Sequence, residues 1–214
     1  FNDALVHKNL MRCKAGMPLS IAAKIALENR LSGLEFAHGI PGTIGGAAVM
    51  NAGAYDGEMA DIVRKVTVID MDGNIFEMQK SQLVYDYRSC KLQNSDEILL
   101  EVELELKPGK YDDIKKKMED FLLRRKDKQP LELPSAGSAF KRPPGNYAGA
   151  LIEKAGLKGY RIGGAMVSDK HAGFIVNVDN ATFEDVINLI QYIQRQVKSK
   201  FNVELESEIK ICGD

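Results

Sequence analysis

Cysteine is scarce in this chain and badly placed for chemistry: Cys13, Cys90 and Cys212 are odd in number, far apart and without a C-x-x-C pair. That spacing argues against a disulfide framework and against a zinc site, and it is what a chain in a reducing cytoplasm is expected to carry. An excess of charge of either sign is missing too. The 29 Lys and Arg stand against 30 Asp and Glu, for a net charge of −1. There is no global basic field to suggest nucleic acid as a partner. No apolar run approaches the length needed to cross a bilayer. Internal repeats and low-complexity tracts are also lacking. What is present, 44% hydrophobic and 28% charged residues over 214 positions, suits one large domain or two small ones, each able to bury a core.

The densest local signal is Gly39-Ile40-Pro41-Gly42-Thr43-Ile44-Gly45-Gly46, followed by Asn51-Ala52-Gly53-Ala54-Tyr55. Glycine loses more backbone freedom on folding than any other residue, so such a run stabilises little by itself. Its benefit is access, because a backbone without Cβ atoms can approach a large ligand and aim N–H groups at it. The spacing is neither the G-x-G-x-x-G of a dinucleotide fold nor a P-loop, since no Lys-Ser/Thr pair follows. An ordinary glycine-rich turn would read the same way in isolation.

Periodicity points to an α+β chain. Pro18 suits a helix start, and Ile21, Ala22, Ile25 and Ala26 recur at helical spacing as far as Asn29. Two β-type runs, 64–70 and 74–78, flank a tight turn at Asp72-Gly73. Residues 97–107 alternate, with Ile98, Leu100, Val102, Leu104 and Leu106 on one face and Glu101, Glu103 and Glu105 on the other, as a half-buried strand does. Pro108-Gly109 ends that run and divides the chain into expected domains 1–108 and 109–214. Beyond it, Tyr111, Ile114, Met118, Phe121 and Leu122 form a helical stripe that runs into Arg124-Arg125-Lys126. A second helix, 183–200, carries Val186, Ile187, Ile190, Ile193 and Val197. Runs at 173–178 and 203–212 bracket it and predict a strand–helix–strand unit.

Four further clusters could carry chemistry: Tyr85-Asp86-Tyr87-Arg88, Arg125 with Lys128 and Pro130, the small-residue run from Pro134 through Gly137 and Ser138 to Lys141-Arg142, and Leu205-Glu206-Ser207-Glu208. Each has a plain structural explanation. Arg124 to Lys128 would complement a helix C-terminus, Ser138 would serve as a turn residue, Glu208 would be an exposed strand position, and Arg88 a surface ion-pair member of little weight.

Taken in order, these segments resemble the UDP-N-acetylenolpyruvoylglucosamine reductases (MurB). The glycine segment with Asn51 to Tyr55 is similar to that family's flavin-binding loop. Asp86-Tyr87-Arg88-Ser89 is similar to its active-site arginine motif, and Gly137-Ser138-Ala139-Phe140-Lys141-Arg142-Pro143 to its catalytic serine motif. Residues 168–177 and 208–213 resemble its C-terminal domain. The resemblance spans essentially the whole chain. The uninterrupted run from Tyr85 to Arg125 resembles the shorter type, without a substrate-covering tyrosine insertion.

The resemblance implies the C-terminal part of an FAD-binding (PCMH-type) domain followed by a smaller α+β substrate-binding domain. It implies FAD and NADPH as cofactors and UDP-N-acetylglucosamine enolpyruvate as substrate, in peptidoglycan precursor synthesis. No nucleic acid, membrane or obligate protein partner is expected. Gly39, Ile40, Pro41, Gly42, Thr43, Gly45, Gly46, Asn51, Ala52 and Gly53 are the implied cofactor contacts. Arg88, Ser138 and Glu208 are the implied catalytic residues. Arg88 would grip the substrate carboxylate, Ser138 would give a proton to C2, and Glu208 would donate a hydrogen bond to the developing enolate. Tyr87, Arg125, Lys128, Arg142 and His171 are the implied substrate contacts. The chain opens at Phe1 like mid-domain sequence, and the resemblance places a further flavin-binding segment before it; flavin is therefore expected below one per chain. Two other readings stay open: a flavin-free fragment that binds a UDP-sugar without catalysis, and another FAD oxidoreductase with the same glycine loop.

Overall fold

In the computed structural model, which describes residues 1–55 and 57–212, the alternating stretch becomes the central strand of a five-stranded antiparallel sheet. The strands are β1 (Ala4–His7), β2 (Leu10–Lys14), β3 (Val63–Ile69), β4 (Ile75–Gln79) and β5 (Ile98–Glu105), in the order β1-β2-β5-β3-β4. The Asp72-Gly73 turn joins β3 to β4 as expected, with Val66 opposite Met78. Period-two alternation sends Met11, Cys13, Val66, Val68, Val102 and Leu104 to one face, where all are buried. Two helices belong to the same core: α1 (Leu19–Glu28), which buries Ala22, Ala23 and Ala26, and α2 (Ile44–Met50). Ile21, expected on the inner stripe of α1, is instead exposed.

The other sheet face is charged, and one of its carboxylates is not solvated. Glu103 stands directly opposite Arg12. Arg12 Nη2 approaches it at 3.1 Å and Arg64 Nη1 at 2.9 Å, and its side chain is only 7% exposed. A bulge between Val63 and Lys65 brings Arg64 into reach. A carboxylate this covered is tolerable because both oxygens meet a guanidinium.

The chain divides into two compact units, Phe1–Arg125 and Lys126–Asp214. The division falls inside the long helix α3 (Tyr111–Lys128), not at Pro108-Gly109. Pro108 pairs with Leu31, and Ile114 and Met118 are buried in the first unit's core, so most of that helix belongs with what precedes it.

The second unit has a four-stranded antiparallel sheet of β6 (Ser135–Ser138), β7 (Arg161–Ile162), β8 (Ala165–Val167) and β9 (Phe174–Asn177), ordered β6-β9-β8-β7. Its core also takes residues from α4 (Ala148–Lys154) and α5 (Phe183–Phe201), the latter burying Leu189, Ile190, Ile193 and Val197. Thr182 and Asp185 cap α5 reciprocally, each side chain accepting the other's backbone N–H. The expected final strand at 203–212 is not a ladder strand. It makes a single bridge, Phe140 to Ser207, flanked by Lys141 N–H to Glu206 O and Glu208 N–H to Ala139 O. Pro143 and Pro144 follow on the partner segment and offer no N–H, so pairing cannot extend past Lys141 in that direction. Gly213, the end of the terminal motif, lies outside the described residues.

Leu104 is wholly buried in the first core and Leu5, on the other face of the same sheet, is 72% exposed. Leu104→Ala is expected to cost about 2–5 kcal/mol and Leu5→Ala about 0.5 kcal/mol or less. Urea unfolding of the two variants checks this; similar costs would mean that the sheet face is assigned wrongly.

Candidate active site

The glycine segment is not a continuous loop. Thr43 is the N-cap of α2, its hydroxyl accepting the Gly46 N–H at 3.3 Å, and Asn51 ends that helix in a left-handed conformation, φ +44°. Two glycines show opposite uses. Gly45 is a packing glycine: a Cβ there would lie 2.8 Å from the Ala15 Cβ and 2.9 Å from the Ala15 carbonyl oxygen. Gly42, at φ +131°, has nothing within 4 Å of where a Cβ would stand. Pro41, Gly42 and Gly46 are exposed, whereas Ile40 and Ala52 pack partly into the core. The exposed Pro41–Gly42 backbone, beside small side chains, fits close approach by a large cofactor such as FAD.

Asn51 spends its side chain inside the protein. It is 1% exposed, its Nδ2 donates to the Asp86 carbonyl at 3.0 Å, and its Oδ1 accepts the Ala60 N–H at 2.9 Å. The Arg88 guanidinium is tied to the same turn, donating to Gly53 O at 2.9 Å and to Asn51 O at 3.4 Å. Arg88 itself has φ +53°. Tyr87, 45% exposed, lies with its ring centroid 5.1 Å from the Arg88 guanidinium carbon. Two sequence motifs 35 residues apart, as measured by the Arg88–Gly53 bond, thus form one cluster.

Arg125, implied as a substrate contact, is buried, whereas its basic neighbours Arg124, Lys126 and Lys128 are exposed. It is 9% exposed, with its guanidinium carbon 5.8 Å from the Tyr55 ring centroid. Tyr55 stacks on Phe121 at 4.5 Å, and a Cβ on Gly39 would meet Arg125 Nε at 2.8 Å. Burial pulls its pKa below the ordinary arginine value. Arg124 pairs with Asp120 at 2.7 Å, while Lys128 ends α3 exposed. Gln93 carries no signal in the sequence, and Phe121 is marked there only as part of the helical stripe, which also places it one turn before Arg125.

In the second unit, Ser138 is exposed at the end of β6 after Gly137, φ +84°. Glu208 is half-buried, and its N–H donates to the carbonyl of Ala139, the residue after Ser138. The structure therefore brings these two motifs onto adjoining segments. Arg142 is exposed, with its guanidinium carbon 4.1 Å from the Tyr147 ring centroid, and Lys141 pairs with Glu206. His171 is held structurally. Its Nδ1 accepts the Gly173 N–H at 3.0 Å, its own N–H donates to Ser168 Oγ at 3.3 Å, and its ring meets Phe174 edge-on at 5.1 Å.

All three cysteines are free thiols; Cys13 and Cys90 are buried. Desolvation pushes the Cys13 thiol up to about 12, which makes it an inert core residue. Among the described residues no helix is long and apolar enough to cross a membrane.

Comparison with known proteins locates the same parts. A family model described as FAD binding domain matches residues 4–79, and one described as UDP-N-acetylenolpyruvoylglucosamine reductase, C-terminal domain, matches residues 129–212. A UDP-N-acetylenolpyruvoylglucosamine reductase of Caldanaerobacter subterraneus subsp. tengcongensis is 56% identical over 212 residues, covering 99% of this chain and 70% of the relative. One from Limosilactobacillus reuteri subsp. reuteri is 50% identical over 212 residues, covering 99% and 71%. The crystal structure of UDP-N-acetylenolpyruvylglucosamine reductase (MurB) from Thermus caldophilus superposes with a TM-score of 0.80 at 40% identity, over 92% of this chain and 71% of that one.

Burial, more than any neighbouring charge, holds the His171 pKa below the ordinary imidazole value, and the same is true of His38. The unfolded chain therefore binds protons that the folded chain refuses. These groups contribute stability that is fully present above about pH 6.5 and is lost as pH falls through the depressed folded values. His171→Asn keeps an acceptor for the Gly173 N–H but cannot titrate. It should flatten the decline in unfolding free energy between about pH 7 and about pH 5. A variant that declines as steeply as the parent would show that His171 does not contribute to it.

Proposed function

The chain belongs to the UDP-N-acetylenolpyruvoylglucosamine reductase family, and from that premise we propose that it reduces UDP-N-acetylglucosamine enolpyruvate to UDP-N-acetylmuramate, using FAD and NADPH, in the cytoplasmic synthesis of peptidoglycan precursors. The observation that carries the reading is the Arg88 guanidinium tied to the carbonyls of Asn51 and Gly53. It sets a permanent cation directly beside the turn that closes the cofactor segment. A guanidinium presents its N–H donors as a planar fork, and fork geometry is what a carboxylate requires.

FAD, held at residues 39–53, would supply the redox chemistry that links NADPH to the enolpyruvyl double bond. The protein's residues do the rest. The open backbone at Pro41–Gly42–Thr43 admits the cofactor closely, with Gly46 and the turn at Ala52–Gly53 beside it. Arg88 holds the substrate carboxylate, where negative charge accumulates as the hydride arrives at C3. Ser138 gives its proton to C2, and Glu208, where it carries a proton, donates a hydrogen bond to the developing enolate, so that hydride and proton together saturate the double bond. Lys128 and Arg142 are exposed cations suited to the diphosphate, and Tyr87 flanks the carboxylate end. Arg125 acts from below, as a support of Tyr55 and Gly39. His171, which the resemblance sets among the substrate contacts, is held beside the start of β9 by its bonds to Ser168 and Gly173. Residues 1–125 form the flavin-holding part and 126–214 the substrate part.

Ser138→Ala tests the proton-donor role. NADPH should bleach the flavin at the parent rate, while reoxidation by the enolpyruvyl substrate slows by about a hundredfold or more. Equal slowing of both half-reactions would make Ser138 structural and remove it from the mechanism. For the diphosphate, Lys128→Ala should weaken UDP-sugar binding and reduce its dependence on salt, since exposed charges are screened by ions. An unchanged dissociation constant at low ionic strength would return Lys128 to a helix-terminus role.

A further inference from the structure

The turn that carries Arg88 is held in a shape that a short segment does not keep unaided. A left-handed backbone is strained for a residue other than glycine, and Arg88 stands at φ +53°. The turn closes on itself through Asp86 N–H to Ser89 O at 3.0 Å and Ser89 N–H to Asp86 O at 3.1 Å, and the Tyr87 N–H donates to Asp86 Oδ1 at 2.7 Å. None of these bonds reaches the carbonyl of Arg88. That carbonyl accepts a hydrogen bond from Gln93 Nε2 at 3.0 Å. The same amide nitrogen donates to Val49 O at 3.0 Å and lies 3.3 Å from Met50 Sδ. Val49 lies in the last turn of α2, where helix carbonyls lack intrahelical partners. Gln93 itself is fixed by a short 3-10 turn, Lys91–Asn94, whose Leu92 is 6% exposed and whose Gln93 N–H donates to Cys90 O at 3.1 Å.

We propose that Gln93 is a positioning residue for the reaction: it fixes the left-handed backbone of Arg88 against the end of α2, and so sets the plane in which the guanidinium meets the substrate carboxylate. The assignment rests on the reading of Arg88 as the carboxylate holder. The residue type is dictated by its two targets. Both are carbonyl oxygens, so the side chain must offer two donors from one atom. A primary amide does this, whereas an ionised glutamate of the same length would face acceptor with acceptor. Two-point recognition of a carboxylate is sensitive to small rotations of the fork. Loss of Gln93 should therefore be felt by ligands that carry the carboxylate and not by those that lack it.

The test compares UDP-N-acetylglucosamine enolpyruvate with UDP-N-acetylglucosamine, which has the same diphosphate and sugar but no carboxylate. Both are titrated into the FAD-supplemented chain and into its Gln93→Ala, Gln93→Met, Arg88→Ala and Arg88→Ala/Gln93→Ala variants, with thermal melting of each. Gln93→Met keeps the length of the side chain and removes its donors. Both Gln93 variants should weaken the enolpyruvyl ligand by about tenfold, roughly one net hydrogen bond, and change the carboxylate-free ligand by less than about twofold. The double variant should bind no worse than Arg88→Ala alone, because two residues acting as a unit do not add. Equal weakening of both ligands, additive losses, or unfolding of both Gln93 variants would overturn the proposal, since each would make Gln93 a support of the fold. If Arg88→Ala leaves the difference between the ligands intact, the reading of Arg88 fails. If it abolishes that difference while the Gln93 variants bind normally, the Arg88 reading stands and the Gln93 assignment alone is lost.

Discussion

Gly45 and Ala15 approach so closely that a single methyl group between them could not fit, and the placement of the first unit's functional groups follows from that contact. The Gly45 N–H donates to Ala15 O at 2.9 Å, Ile44 N–H to Met17 O at 2.8 Å, and Leu19 N–H to Gly42 O at 3.0 Å. These bonds fasten the start of α2 to the chain that leaves β2 and enters α1. Once α2 is seated, its C-terminal end is fixed. The turn after it then supplies the carbonyls of Asn51 and Gly53 that receive Arg88. A glycine that suggests freedom in the sequence is here the reason for rigidity: it removes a side chain so that two backbones can bond.

Two arginines show how the same side chain is put to different uses by burial. Arg88 is half-buried and bonds the carbonyls of the turn after α2. Arg125 is nearly covered, set against the Tyr55 ring and beside Gly39, with Phe121 stacked on the same tyrosine. A planar cation over an aromatic face is attracted by the ring quadrupole and loses less on desolvation than an ammonium would. The turn bearing Tyr55 is thereby fixed to α3 as well as to the Arg88 turn, and the aromatic that ends the motif contributes anchoring.

The elements that could be read from the sequence are those where one physical signal dominates. Period-two alternation located β5, Asp72-Gly73 located the β3–β4 turn, and the apolar stripe located α5 to within a residue or two of its observed ends. The glycine run stood out because its composition is costly for folding alone, whereas the other motifs stood out only through their order along the chain. What could not be read depends on contacts between distant segments. Glu103 has the alternation of a solvated residue, and only the register with β2 and the bulge in β3 bring Arg12 and Arg64 onto it. Residues 203–212 alternate like a strand, but a strand needs a partner, and theirs runs into Pro143. Arg125 sits in a run of basic residues that reads as exposed, and helical phase turns it alone toward the core. Gln93 has no local signature at all, since its meaning lies in carbonyls 44 and 5 residues away.

Asn51 shows how narrow the choice at one position becomes when several demands coincide. The residue ends α2 at φ +44°, a conformation that glycine adopts freely and that asparagine and aspartate tolerate better than other residues. Backbone geometry thus leaves three candidates. The side chain must also accept the Ala60 N–H and donate to the Asp86 carbonyl, both from a site that is 1% exposed. Glycine satisfies neither bond: it would leave the Ala60 N–H without its side-chain acceptor, at about 1–3 kcal/mol, and leave the Asp86 carbonyl only the Ser89 N–H. Aspartate satisfies the first and sets a charge against a carbonyl oxygen at the second. Asparagine alone meets the dihedral, the donor and the acceptor together. Since the Asp86 carbonyl opens the turn that carries Arg88, that one amide links the end of α2, the start of the next helical turn and the Arg88 turn.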